Sequence, residues 1–268
     1  MENVVEAVKP TEKKGISGST LKLIAIITMF IDHVGAIIVE RMLVQRAGGS
    51  AMMMTVDFVM DNATLYWIYM AIRLVGRLGF PIFCFLLIEG FQYTRNVKKY
   101  AIRLLLFALV SEIPFDLGFC GGVFNWGYQN VFFTLFIGLL VIMGMHYVEQ
   151  KQEWNQVLRV IVRIAIAIVG MVAAELLQTD YSAIGVLTIA VMYQYRQKKM
   201  LQTALGCTVL TVLNPMEITS FVILLPIRWY NGKRGWNIKW LFYAFYPVHI
   251  FLLYIVAYFM GLGGVILR

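Results

Sequence analysis

The sequence predicts an all-α, polytopic membrane bundle, and three observations carry that prediction. Sixty per cent of the 268 residues are hydrophobic, 14% are charged, and the mean hydropathy is +0.74. A water-soluble chain of this size and composition would have too little polar surface to cover its core. Apolar stretches recur along the whole chain on the length scale of membrane helices. The cations fall into alternate connections between those stretches, as the positive-inside rule requires. The same composition excludes a disordered chain, a coiled coil, a secreted disulfide scaffold and a nucleic-acid-binding domain. Cys84, Cys120 and Cys207 lack metal-ligand spacing, so no metal is expected.

Residues 1–20, with Lys9, Lys13, Lys14 and a Gly/Ser-rich end, read as a short cytoplasmic tail, leaving 21–268 as a single transmembrane domain. The first apolar run, Leu21 to Val39, is longer than a signal-peptide core, carries Asp32 and His33, and lacks a small-x-small cleavage site. It is expected to be an uncleaved first span. Further stretches at 65–90, 101–119, 129–148, 160–177, 182–195, 200–214, 217–229 and 240–262 give about nine transmembrane helices, within a range of eight to ten. Those at 182–195, 200–214 and 217–229 fall short of the roughly 20 residues a perpendicular helix needs, and read as tilted helices or re-entrant pieces. Pro81, Pro114 and Pro247 each remove a helical hydrogen bond and are expected to break their helices beside polar groups.

With the N-terminus in the cytoplasm, 18 of the 23 cations lie inside, and only Arg41, Arg46 and Arg268 lie outside. Arg73 and Arg77 remain within the second span. The net charge of +8 is then an orientation signal and not a call for nucleic acid. The expected location is the cytoplasmic (inner) membrane of a bacterium, crossed many times.

A charge in the hydrocarbon is costly and marks a site by default. At 1.5 Å per residue, His33 lies roughly 16 Å above Lys22, Arg77 roughly 18 Å below the outer end of span two, Glu112 some 15 Å and His249 some 13 Å above the inner ends of their spans. Four helices thus place ionisable groups near mid-membrane. Eleven residues make three turns plus about 20°, so Lys22 and His33 share a face. Arg73 and Arg77, one turn apart, need counter-charges: Asp32, Glu112 and Asp116 are the candidates in the chain, and coenzyme or phosphate oxygens the candidates in a ligand. His249 reads either as a hydrogen-bonded packing histidine or as a proton relay. Glu89 is expected to pair with Arg95 or another interfacial cation, and Glu175 and Asp180 to cap the outer end of the fifth span. Gly15-Ile16-Ser17-Gly18 matches the G-x-S-G of intramembrane serine proteases, but it precedes the first span with no histidine in reach, so the match is coincidental.

Several linked motifs resemble the TraX family of conjugal-transfer membrane proteins, whose best-known member acetylates the N-terminus of pilin. They are Leu21-Lys22-Leu23-Ile24-Ala25 with Ile31-Asp32-His33-Val34-Gly35, Arg73-Leu74-Val75-Gly76-Arg77-Leu78-Gly79-Phe80-Pro81, Ser111-Glu112-Ile113-Pro114-Phe115-Asp116, Gln129-Asn130-Val131-Phe132 and Tyr246-Pro247-Val248-His249. Lys22, ten residues and His33 also resemble the Arg/Lys-x10-His signature of the wider transmembrane acyltransferase superfamily. The resemblance implies acyl transfer from cytosolic acetyl-CoA, acting as co-substrate, to an acceptor amine or hydroxyl of a pilin-like peptide or a surface glycan.

On that reading His33 is the general base, with Asp32 and His249 as catalytic partners. Lys22, Arg73 and Arg77 meet the donor. Glu112, Asp116 and Asn130 form a substrate-binding or structural polar network, and Arg77 or Asn130 stabilises the oxyanion. Lipid and acetyl-CoA are the expected partners, without nucleic acid. A transporter or channel that uses the buried charges for substrate or proton passage is the alternative, and an assembly scaffold a third reading.

Overall fold

The computed structural model describes residues 15–237 and 239–267; Lys9, Lys13 and Lys14 of the tail lie outside the described residues. The described residues are helical, without strands beyond two isolated bridges. Nine rods appear among them. The first joins α1 (Gly18–Val34), a π-helical turn (Gly35–Val39) and α2 (Glu40–Arg46) into one 29-residue rod. After the short α3 (Val56–Asp61), α4 (Ala63–Gly76) and α5 (Gly79–Tyr93) form the second. Then come α6 (Val97–Phe119), α7 (Val131–Glu149), α8 (Gln156–Leu176), α9 (Ser182–Gln194) and α10 (Lys199–Leu213). A 3-10 segment (Pro215–Ile223) running into α11 (Leu224–Arg228) makes the eighth rod and α12 (Lys239–Phe259) the ninth.

Five helices among the described residues are long and apolar enough to cross a membrane: the first two rods, α7, α8 and α12. The chain is a membrane protein. α6 has the length but carries Arg103, Glu112 and Asp116, while α9 and α10 are apolar but short. The first rod packs antiparallel on α4, matching Asp32 to Gly76, Glu40 to Tyr69 and Arg46 to Asn62. α12 runs parallel to both α1 and α6: Lys22 lies over Phe242 while His33 meets His249, and Phe107 stacks on Tyr243 while Gly118 faces Ile250. Rods one, three and nine therefore point the same way, as strict alternation demands.

Local chemistry explains the ends. Asn96, Asn130 and Asn155 each accept a backbone N–H at the start of α6, α7 and α8. Ser17 caps α1, accepting from Thr20 N, and gives the G-x-S-G segment a structural purpose. Residues 16–19 are tied to the α11–α12 connection by Ile16 N to Trp229 O, Gly18 N to Lys233 O and Ser19 N to Arg234 O.

Three expectations change. The second rod does break just before Pro81, at Arg77–Leu78, but α6 and α12 continue through Pro114 and Pro247. Flanking turns on a packed helix hold the geometry across one missing bond. Arg41 is no loop cation: it is 0% exposed, and its Nη2 donates to Leu117 O and Gly118 O, the last free carbonyls of α6. The negative end of the α6 dipole serves it as counter-charge. Glu89 accepts from the Tyr230 hydroxyl at 2.8 Å and not from Arg95.

Candidate active site

A polar cavity of about 230 Å³ opens where the first, second, third, fourth and ninth rods meet. The ends of two short helices, Tyr181 before α9 and Asn214 after α10, complete its wall together with Asp32, His33, Arg73, Arg77 and Asp180. Irregular backbone at membrane depth is tolerated only where protein or a polar cavity satisfies it, and both ends meet that condition.

His33 and His249 form the centre. Their rings are nearly coplanar, 4.8 Å between centroids with a 5° interplanar angle, and meet edge to edge, His33 Nδ1 lying 2.6 Å from His249 Nε2. His249 Nδ1 lies 2.6 Å from Phe245 O. A carbonyl only accepts, so His249 Nδ1 carries a proton. In a neutral ring its Nε2 is then the acceptor, which makes His33 Nδ1 a donor and leaves His33 Nε2 as the basic lone pair. Of the two rings, His33 lines the cavity. The sequence places both histidines at one depth; their contact follows from the parallel packing of α1 and α12.

Arg73 Nη1 donates to Asp32 Oδ2 at 2.6 Å. Gly76 permits this approach, because a Cβ there would overlap the Asp32 side chain, and Gly35 likewise sits against Ile72. Arg77 Nη1 donates to Glu217 Oε1 at 3.0 Å, so its partner is none of Asp32, Glu112 or Asp116. Glu217 escapes a span-by-span reading because it is the first residue of the 217–229 stretch, at an apparent outer helix end. The Asn214-Pro215 turn in fact sits at cavity depth, and Thr219 Oγ1 takes Leu74 O, a carbonyl released by the break in the second rod.

Glu112, Asp116 and Asn130 do not line the cavity, and of the three Glu112 and Asn130 are hydrogen-bonded to each other while Asp116 is not bonded to either. Asn130 Nδ2 donates to Ala108 O at 2.8 Å and Glu112 Oε2 at 2.6 Å, and its Oδ1 accepts from Phe132 N. Both amide hydrogens are used, leaving none for an oxyanion. Asp116 Oδ2 accepts from Asn125 N at 2.8 Å. Lys22 packs at the opposite end of α1 from the histidines, its Nζ 5.5 Å from the Phe242 ring centre.

Asp180 and Glu175 do not cap α8. Glu175 accepts from Ser182 Oγ at the start of α9, and Asp180 Oδ1 accepts from Tyr128 OH at 2.9 Å. Gln178, Tyr181 and Ser182 have φ of 49°, 63° and 41°, the positive-φ residues other than glycine among those described. The turn is held by Asp180 N to Gln129 O, by Thr134 Oγ1 on Asp180 O and by Tyr181 stacked 3.7 Å from Phe80. Side chains without turn propensity are thus forced left-handed beside the cavity, a concentration of strain typical of functional sites. No glycine or asparagine announces this turn in the sequence.

A family model described as TraX protein matches residues 17–257, a stretch that holds every group named above. The chain belongs to the TraX family. It is also 30% identical over 263 residues, 88% of this chain and 94% of the relative, to a protein of Dichelobacter nodosus named probable fimbrial assembly protein FimC, serogroup H1. No solved structure matches this TraX-family chain.

Proposed function

We propose that the chain is an inner-membrane acetyltransferase of the transmembrane acyltransferase type, moving the acetyl group of cytosolic acetyl-CoA to the amine of a pilin-like peptide. The single observation that supports this best is the His33–His249 pair, whose hydrogen bonds leave one basic lone pair on the ring that lines a small polar cavity. A cavity of 230 Å³ is below the range for drug-sized ligands, so only the thioester end of the donor enters. The rest of the donor extends toward Lys22. Arg73 and Arg77 already hold carboxylates; in this reading Arg73 fixes Asp32 beside His33, and Arg77 faces the developing oxyanion.

His33 Nε2 takes a proton from the acceptor nitrogen as that nitrogen attacks the thioester carbonyl. The C–S bond breaks, and the imidazolium returns the proton to the leaving thiolate, so the histidine ends neutral. Asp180 favours an amine over a hydroxyl. Its carboxylate borders the cavity with Tyr128 OH as hydrogen-bond partner and no cation within ion-pair distance among the described residues, which suits an approaching ammonium; the ammonium gives up its extra proton to solvent before the neutral amine attacks. The FimC-named relative is called a fimbrial assembly protein, which is consistent with a pilin-like acceptor.

The test is purified protein in proteoliposomes with labelled acetyl-CoA and a pilin-like peptide. Release of CoA with label on the peptide N-terminus is the expected result. Flux of solute or protons with no CoA release contradicts the proposal and supports the transporter reading.

A further inference from the structure

We infer that the chain carries a second site, for the phosphate of an anionic phospholipid, at the basic rim of α8. A half-open cavity of about 290 Å³ lies there, lined by Glu149, Gln156, Arg159, Val160, Arg163 and Gln194. Four of these, at 156, 159, 160 and 163, follow helical spacing and put one stripe of α8 on the cavity.

The charges do not balance. Glu149 accepts from Arg196 at 2.7 Å and from Arg163 at 3.2 Å, so one carboxylate serves two guanidinium groups. Arg159, a third, has no carboxylate within 4 Å among the described residues, and Arg163 Nε is buried without a partner. Arg159 and Arg163 line the pocket with Glu149 as its one carboxylate, and with Arg196, which pairs with the same carboxylate, the cluster carries two net positive charges, the chemistry that recognises a phosphate.

Lipid is the source that the surroundings favour. Only 11% of the most apolar window of α8 is buried, and Val160, Ile161, Ile164 and Ile168 are 46–57% exposed, a face for acyl chains continuous with the pocket. Tyr147 and Tyr195, both largely exposed, flank the same helix ends, where interfacial aromatic side chains sit. Basic pockets between helices at the inner surface are where anionic headgroups bind. The site is independent of the acetyl-transfer reading.

Native mass spectrometry of the full chain, released from micelles with equal mole fractions of phosphatidylglycerol and phosphatidylcholine, tests it. Phosphatidylglycerol should be retained at least about fivefold over phosphatidylcholine, and Arg159→Gln should lower that retention about fivefold, the worth of one interfacial cation. Arg159→Lys should stay within about twofold of the wild type, and millimolar inorganic phosphate should not displace the lipid. Equal retention of the two lipids, unchanged retention in Arg159→Gln, or displacement by inorganic phosphate would overturn the assignment.

Discussion

At the scale of single residues, the chemistry rests on which nitrogen carries which proton. The Phe245 carbonyl fixes His249, and His249 in turn fixes His33, so His249 is a positioning residue whose value lies in its acceptor atom. His249→Phe should keep the aromatic packing on Phe245 and lower acetyl transfer by about 10²–10⁴-fold, whereas His249→Gln, with an oxygen able to take the place of Nε2, should recover part of that loss. Acetylation rates, with ¹⁵N-histidine spectra reporting the His33 tautomer, check this; equal rates in the two variants would remove the orienting role. The sequence made Asp32, His33, Arg73 and His249 legible, because an ionisable group inside an apolar run stands out. Glu217 and Asp180 were not, because each lies at the end of an apolar run, where carboxylates are ordinary. Only the depth of those ends in the fold gives them meaning.

Among the elements, the close approach of the first two rods decides the site. Gly35 and Gly76 let α1 and α4 touch backbone to side chain, and the ion pair of Asp32 with Arg73 is made across that contact. Gly76→Ala places a methyl group against the Asp32 carboxylate. It should cost about 1–3 kcal/mol, read as a lower unfolding midpoint in micelles, and should lower acetyl transfer more than it lowers the folded fraction. An unchanged midpoint would show that the rods are not in contact at Gly76. Helix positions were legible from the apolar runs, and the break before Pro81 from the missing N–H. The continuity of α6 and α12 through their prolines was not, because packing by neighbouring rods outweighs one lost hydrogen bond. The π-turn at Gly35–Val39, beginning two residues after His33, has no sequence signature beyond its glycine, and such turns cluster at functional sites.

For the whole molecule, two long rods and a set of shorter helices differ in reach, and the cavity lies where the short ones end. α9 and α10 span 13 and 15 residues, roughly 20–22 Å, so their ends reach only the depth of His33 and Arg77. Membrane residence and the family were legible from composition and linked motifs. Which ends are buried depends on relative helix lengths in three dimensions, and one-dimensional hydropathy does not record that. The cations that set the orientation also leave a surplus at the rim of α8, while the groups at depth pair off and leave one imidazole as base. That imidazole carries the account. The most direct measurement is the rate at which purified His33→Gln protein, shown to be folded by its unfolding midpoint, transfers labelled acetyl from acetyl-CoA to a pilin-like peptide amine. A fall of about 10²–10⁴-fold against wild type is the predicted result, and transfer at the wild-type rate would contradict it.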